Sequence, residues 1–543
     1  MDDPTKTSAA TENAPLLPQE DRGTDWTPPK GFWFIEVALW SNAFLSGFDG
    51  TITASTYTLI SSDFNSANSA SWLTTSYLIT STAFQPLYGR FSDVFGRRAC
   101  FFFSTVLFII GCFGCAIAPN IWCLDAMRCV TGMGGGGLIT MATIINSDII
   151  PFERRGMYQA AQNCLIGFGA VCGASLGGAI ADSFGWRWCF LAQVPFSILA
   201  LVVGYLVLED PLGDMFYLGE KASLRFALTH VDVLGSAVLV VALLVQLLAL
   251  SLGGNQLPWG SPWVLGALAA SIILLGIFGV VEATTKTIPI IPLRMLRGRL
   301  PVFTQITNVF SGMAAYAFIF MLPLFFQVVV MDTPSKAGMR LMIPSLSTPM
   351  GGLIAGYTMS KCGRLARLIR IGTLLMTVGN LLLVLLDFEN ASWKYLLFLF
   401  PANLGLGMMN PSVLFSFISA FEHREQAVAT SLVYLIRSLG NIWGVTITSS
   451  IVQNVLSTRL PEALKDIRHS DRVIDEIRHS VFALRGLPPT VQLAARHVYF
   501  EAIRIAFIAS TCFAAISFLA SLFADAKSLE RAPVQWVGEE EAA

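Results

Sequence analysis

The residues best placed to do chemistry are the few charged and amide side chains that interrupt long apolar runs. Asp49 lies about 24 Å into the first such run, counting ~1.5 Å per helical residue. A charge at the centre of a membrane helix costs about 2.5–3.5 kcal/mol on insertion scales, so an acid kept there needs a task or a partner. Asp49 therefore reads as a proton carrier or a ligand for a cationic substrate, or else as a structural carboxylate that caps or pairs within the bundle. Arg128 is a buried cation that could serve as its fixed counter-charge or as an interface anchor. Arg437, followed one turn later by Asn441, is a further candidate, with packing or a hydrogen bond to a backbone carbonyl as the plainer reading. Gln159, Gln162 and Asn163 cluster in one run, and Asn308, Asn403 and Asn410 add neutral polar groups in others. Neutral amides suit a polar zwitterion better than a lipophilic compound, although they also join membrane helices without any ligand.

Other chemistry finds little support. The run Gly134 to Gly137 lacks a following Lys-Ser or Lys-Thr and reads as close helix packing, not as a phosphate loop. The ten cysteines form no metal-type pair of pairs, and Cys112 and Cys115 read as small packing residues. No zinc-protease, nucleophile-elbow or paired-aspartate pattern lies in a span, so neither an enzyme nor a cofactor or metal is expected.

The elements that must hold these residues follow from composition. The chain has 543 residues, 54% hydrophobic and only 13% charged, with a mean hydropathy of +0.62. Soluble domains carry about 25% charged residues, so an ordinary globular protein is excluded. Thirty-five Lys and Arg against 36 Asp and Glu leave a net charge of −1, with no basic field for nucleic acid. The apolar residues fall into blocks of the length that crosses a ~30 Å hydrocarbon core. Fourteen are predicted, at 33–60, 70–89, 99–118, 122–147, 158–181, 188–208, 231–252, 263–282, 302–328, 337–357, 368–386, 395–417, 427–455 and 499–523. The expected fold is thus an all-α polytopic membrane protein, acting as a monomer in the lipid bilayer.

Charge sets the orientation. The loops after even-numbered spans carry most of the basic residues, among them Arg90, Arg97, Arg98, Arg154, Arg155 and Arg364, which predicts cytosolic termini. The sequon at Asn390 then falls in a non-cytosolic loop, open to glycosylation. The 456–498 segment is basic yet lies on the non-cytosolic side. Its acids (Glu462, Asp466, Asp471) and spaced apolar residues predict an amphipathic cap on the membrane surface. The tail of residues 1–31 shows no signal peptide, and Glu12 with Leu16 and Leu17 fits an acidic dileucine signal that a sorting adaptor could read.

A repeat organises the spans. Gly89-Arg90-Phe91-Ser92-Asp93-Val94-Phe95-Gly96-Arg97 follows span 2, and the segment from Gly356 through Gly363 to Arg364 follows span 10. Both read Gly, six residues, Gly, Arg. If equivalent, they divide the chain into a half at 32–208, a linker with two inserted helices at 209–300, a second half at 301–523, and a tail at 524–543. Duplicated halves mark an alternating-access transporter with its site at the midplane between them. Asp93, Arg97 and Arg98, extended by Asp148, Glu153, Arg154 and Arg155, read as a gate whose charge contacts latch one conformation.

The Gly89 to Arg98 segment resembles the signature loop of the major facilitator superfamily. Arg128 to Gly132 resembles that family's arginine-containing span 4 motif. Gly169, Gly173, Gly177 and Gly178 resemble the span 5 glycine motif of proton-driven antiporters, with Ala174 where that motif has Pro. Gly47 to Ile52, around Asp49, is similar to the span 1 motif of the fourteen-span drug:proton antiporter group. The run from Asp49 to Arg98 is similar to fungal vacuolar basic amino acid transporters. The resemblance implies a proton-coupled carrier of amino acids, basic ones foremost, from cytosol to vacuole, with Arg128 in proton coupling. A plasma-membrane exporter of drugs, toxins or siderophores is the rival, and a non-transporting nutrient sensor the rival of another class.

Overall fold

The computed structural model describes residues 28–29, 31–64, 72–208, 232–253, 257–285, 287, 289–332, 336–337, 339–341, 346–362, 365–388, 392–422, 425–464, 484 and 488–524. Glu12, Leu16, Leu17, Gly363, Arg364, Asn390 and the 524–543 tail beyond Ala524 lie outside the described residues, as does most of the 464–488 segment.

Among the described residues, the chain folds almost wholly into long helices. They are α1 (Phe32–Asp63), α2 (Trp72–Phe95), α3 (Arg97–Ile117), α4 (Ile121–Ile149), α5 (Phe152–Phe184), α6 (Arg187–Val207), α7 (Val233–Leu252) and α8 (Pro262–Thr284). They continue with α9 (Arg299–Leu324), α10 (Ser347–Cys362), α11 (Leu365–Val384), α12 (Ser392–Ile418), α13 (Gln426–Ala463) and α14 (Pro489–Phe523). Local chemistry marks their ends. The Asn120 side chain accepts from the Cys123 N–H at 2.8 Å and starts α4, and Asp232 starts α7 by accepting from Gly235 N–H at 2.7 Å. Gly96 turns α2 into α3 at φ +89°, a left-handed conformation that a Cβ disfavours.

Nine of these helices are long and apolar enough to cross a membrane by composition alone. The other five are α1, α2, α5 and α13, whose polar side chains dilute the apolar signal, and α10, whose 16 residues are too few. Those same helices hold Asp49, Asp93, Gln159 and Arg437. Outward faces are apolar throughout, as with Phe103, Ile110, Phe196, Ile272 and Leu381, each about half exposed or more. Such a surface suits lipid. This is an integral membrane protein.

Packing repeats along the chain. In the first group α1 packs on α5 and α6, α4 on α2 and α3, and α3 on α6. In the second, α9 packs on α13 and α14, α12 on α10 and α11, and α11 on α14. Each relation in α1–α6 recurs eight helices later. Two equivalent crossings run through glycine. A Cβ on Gly169 or Gly173 of α5 would stand 2.2 and 2.3 Å from the carbonyl oxygens of Phe44 and Phe48 in α1. A Cβ on Gly440 or Gly444 of α13 would stand 2.3 and 2.2 Å from those of Val309 and Met313 in α9. The groups meet through α2 on α13 and α5 on α10, while α7 and α8 pair beside α2.

Helix ends depart from the expected spans where charge resumes. α13 runs eight residues beyond 455 to Ala463, and α14 begins ten residues before 499, at Pro489. Arg459 in the first extension pairs with Glu501 of α14. The tetraglycine run is packing: Cβ atoms there would meet Phe108, Tyr77, Ser81 and Ser104.

Candidate functional site

Three constellations hold the candidate residues. The first is an ion pair closed inside the first group. Arg128 of α4 donates through Nη1 to both carboxylate oxygens of Asp49 on α1, at 2.9 Å each. Its Nε donates to the Leu73 carbonyl at 3.1 Å, and its guanidinium lies 4.6 Å from the Tyr77 ring centroid. Gln193 of α6 donates to Asp49 Oδ1 at 3.3 Å. Asp49 and Arg128 are fully buried, ringed by Phe48, Ile52, Leu73 and Phe190. The pair is closed to solvent in this state, so a cationic substrate reaches Asp49 only if Arg128 moves. Gln193 was not foreseen, although a lone amide in the 188–208 run is a signal of the same kind as those in α5.

The second constellation lies where the groups meet. Gln159 of α5 donates to Asn163 Oδ1 at 3.3 Å and to the Tyr434 hydroxyl of α13 at 3.5 Å. Gln162 donates to Thr143 Oγ1 at 3.0 Å, and Thr143 shares a 2.9 Å hydrogen bond with the Tyr434 hydroxyl. Arg437, one turn beyond Tyr434, donates through Nε to Asn308 Oδ1 and through Nη2 to the Asn410 carbonyl, both at 3.1 Å. Asn410 thus serves through its backbone. Among the described residues no carboxylate pairs with Arg437, in contrast to Arg128. Ser438 donates to Gln85 of α2 at 3.0 Å. Tyr434, Thr143 and Gln85 escaped sequence reading because neutral side chains are common in membrane helices.

The third constellation sits at the turn between α2 and α3. Arg97 donates through Nη1 to Asp93 Oδ1 and through Nε to Asp148 Oδ2 of α4, each at 2.7 Å, and Arg90 stands 3.7 Å from Asp93 Oδ2. Gly89 presses on α13: a Cβ there would lie 2.3 Å from Ser431 Oγ and 2.8 Å from the Ala427 carbonyl. Arg155 of α5 crosses between groups, donating to Gln426 Oε1 of α13 at 2.9 Å. Arg98 turns away from this cluster. It donates to the Tyr205 carbonyl of α6 at 3.0 Å and stacks over the Tyr205 ring. Gly177 accepts from the Cys189 thiol at 3.5 Å, and a Cβ on Gly178 would meet nothing within 4 Å.

These contacts share one end of the molecule. Gln85 and Gly89 lie late in α2, Thr143 late in α4, Arg155 and Gln159 early in α5, and Gln426 to Ser438 early in α13. Gly156 and Gly356 bring α5 and α10 together at the same level. At this end the two groups are in contact.

Two repeated helical groups closing on a polar interface inside the bilayer define a membrane transporter. The family model of the Major Facilitator Superfamily matches residues 39–445, and the chain belongs to that superfamily. It is 46% identical over 407 residues to Vacuolar basic amino acid transporter 2 of Saccharomyces cerevisiae, covering 74% of this chain and 86% of that protein. It is 37% identical over 487 residues to Multidrug resistance protein fnx1 of Schizosaccharomyces pombe, covering 89% and 90%. Among solved structures, the proton:xylose symporter XylE bound to 6-bromo-6-deoxy-D-glucose aligns with a TM-score of 0.54 at 17% identity, covering 87% of this chain and 94% of that one.

Proposed function

We propose that the protein is a proton-coupled transporter that carries amino acids, basic ones foremost, from the cytosol into the vacuole. In this reading all fourteen helices cross the membrane, in two six-helix halves with α7 and α8 inserted, and both tails are cytosolic. One observation carries it. Arg437 stands at the interface between the groups with its guanidinium held by neutral acceptors and no carboxylate among the described residues. A fixed cation there calls for an anion, and the α-carboxylate common to all amino acids supplies one. The amides of Gln159, Asn163 and Asn308 provide neutral partners for the rest of the molecule. Basic side chains and the vacuolar membrane rest on the likeness to the Saccharomyces cerevisiae relative.

The proton acts at a separate place. Protonating Asp49 removes the charge that holds Arg128, and binding at the interface biases the same helices, because α1 crosses α5 through glycine contacts too tight to slip. Coupling of this kind is reciprocal: whatever proton loading does to substrate affinity, substrate does to proton affinity. Opening of the cytosolic latch then exchanges one accessible side for the other.

The likeness to the Schizosaccharomyces pombe protein favours a second reading, a proton-driven exporter at the plasma membrane. Uptake of labelled lysine, arginine, histidine, leucine and a lipophilic dye into sealed vesicles, with and without an acidic lumen, decides between them. The first reading expects gradient-dependent accumulation of the basic amino acids, lost in Arg437→Gln. Accumulation of the dye alone, or undiminished amino acid uptake by the variant, would sink it.

A further inference from the structure

A cavity of about 1030 Å³ lies on the side of α13 facing away from Arg437, beneath the inserted hairpin. Trp443, Thr446, Ser450, Asn454 and Ser457 line it from α13, spaced to share one helical face. Arg437 and Asn441 project roughly 140–180° away around the same helix, at ~100° per residue, so this cavity is not the interface site. Gln246 and Leu250 of α7 and Trp259 of the α7–α8 connection close its other wall.

Its depth follows from α13. Gln426 marks the latched end. Trp443 to Ser457 stand about 26–47 Å further along, at ~1.5 Å per residue, which is the opposite leaflet and its headgroup boundary. Trp259 and Trp443 suit that level, where indoles concentrate. The first turn of α8, just beyond Trp259, is strongly exposed and apolar (Trp263 81%, Leu265 54%), so the cavity adjoins lipid.

The lining chemistry is selective. Among the described residues no ionisable side chain contributes to it, which gives a phosphate or ammonium headgroup nothing to pair with there. Two of its polar atoms, Gln246 Oε1 and Trp259 Nε1, are shielded from solvent and lack a hydrogen-bond partner among the described residues. Leaving buried polar atoms unpaired costs about 1–3 kcal/mol each. One is an acceptor and the other a donor. A hydroxyl offers both complementary roles, and Leu250, Ile447, Ile451 and the Trp443 ring offer apolar surface to the body behind it. The volume stands at the upper end for small-molecule sites, about 300–1000 Å³.

We propose that this cavity binds a sterol from the non-cytosolic leaflet, its hydroxyl donating to Gln246 and accepting from Trp259. A bound sterol would wedge between the inserted hairpin and α13, giving α7 and α8 a place in the energetics of the bundle. The test uses the full-length protein in phosphatidylcholine nanodiscs containing a photoreactive cholesterol analogue. Labelled peptides should fall within 243–263 and 440–460. Excess cholesterol should suppress labelling at least fivefold, whereas cholestane, which lacks the hydroxyl, should not. Gln246→Leu combined with Trp259→Phe should reduce labelling by a similar factor. If that variant fails to fold, the competition on the unaltered protein decides alone. Labelling spread evenly around the lipid-facing surface, equal competition by cholestane, or equal competition by diacylglycerol would each overturn the proposal.

Discussion

Replacing Asp49 by Asn tests whether the buried ion pair is a coupling element or a strut. In the folded protein Arg128 has both Asp49 oxygens at 2.9 Å, and neither side chain is more than 1% exposed. The Asn variant keeps one oxygen acceptor, the Leu73 carbonyl and the Tyr77 ring around Arg128, but no anion. Breaking a buried pair by removing one partner costs about 3–5 kcal/mol, because the survivor is left charged and uncompensated. The retained acceptor places Asn at the lower end. About 3 kcal/mol is a factor on the order of a hundred in the folding equilibrium. The single variant should therefore be less stable as well as uncoupled, and loss of transport alone would prove nothing. Removing both charges in Asp49→Asn with Arg128→Met should restore most of the stability, giving a coupling energy of at least about 2 kcal/mol. Thermal unfolding of the detergent-purified proteins measures the cycle. Uptake against lumenal pH in matched vesicles measures coupling in the restored double variant. A single variant as stable as the parent refutes the closed-pair argument. A double variant that still concentrates substrate in response to the gradient moves proton coupling away from Asp49.

The latch makes further outcomes specific. Gly89→Leu drives a side chain into Ser431 and the Ala427 carbonyl, so α2 and α13 should no longer close on each other. A cysteine introduced at that face should then label several-fold faster, and unchanged labelling would contradict the assignment. Arg97→Ala strips both Asp93 and Asp148 of their 2.7 Å partner and should abolish uptake, whereas Arg98→Ala removes contacts with Tyr205 and Phe102 and should reduce uptake by less than about threefold. Equal effects at equal expression would argue against the distinction. Leu16→Ala with Leu17→Ala should divert a tagged protein from the vacuole to the cell surface, as seen by microscopy, and normal vacuolar delivery would remove the sorting role.

Sequence reading succeeds here where a rule acts on single residues and stops where geometry intervenes. Apolar length locates the spans, and the cost of burying charge singles out Asp49, Arg128 and Arg437. Neither rule reveals that Asp49 and Arg128, 79 residues apart, face each other. Arg97 and Arg98 look alike in sequence, yet a ~100° step around the helix sends one to Asp93 and the other to Tyr205. Charge resuming after 455 ends the predicted span there, because a helix that continues past its apolar stretch lacks the apolar length that marks a span.

The glycine crossings carry the comparison further than the loop repeat can. Gly169 and Gly173 sit over Phe44 and Phe48 as Gly440 and Gly444 sit over Val309 and Met313, with the same four-residue step. That register sets Asp49 opposite Ala314 and Arg437 opposite Ile166 in the two groups. Neither charge has a charged counterpart. The first group carries an acid neutralised by its own arginine, and the second carries an arginine held by amide and carbonyl oxygens. In the proposed mechanism a proton would change the charge balance within one group, and an anion within the other. With the two groups joined at the latch, such an asymmetric pair of sites lets two different solutes bias a single rocking motion, which is the minimum that coupled transport demands.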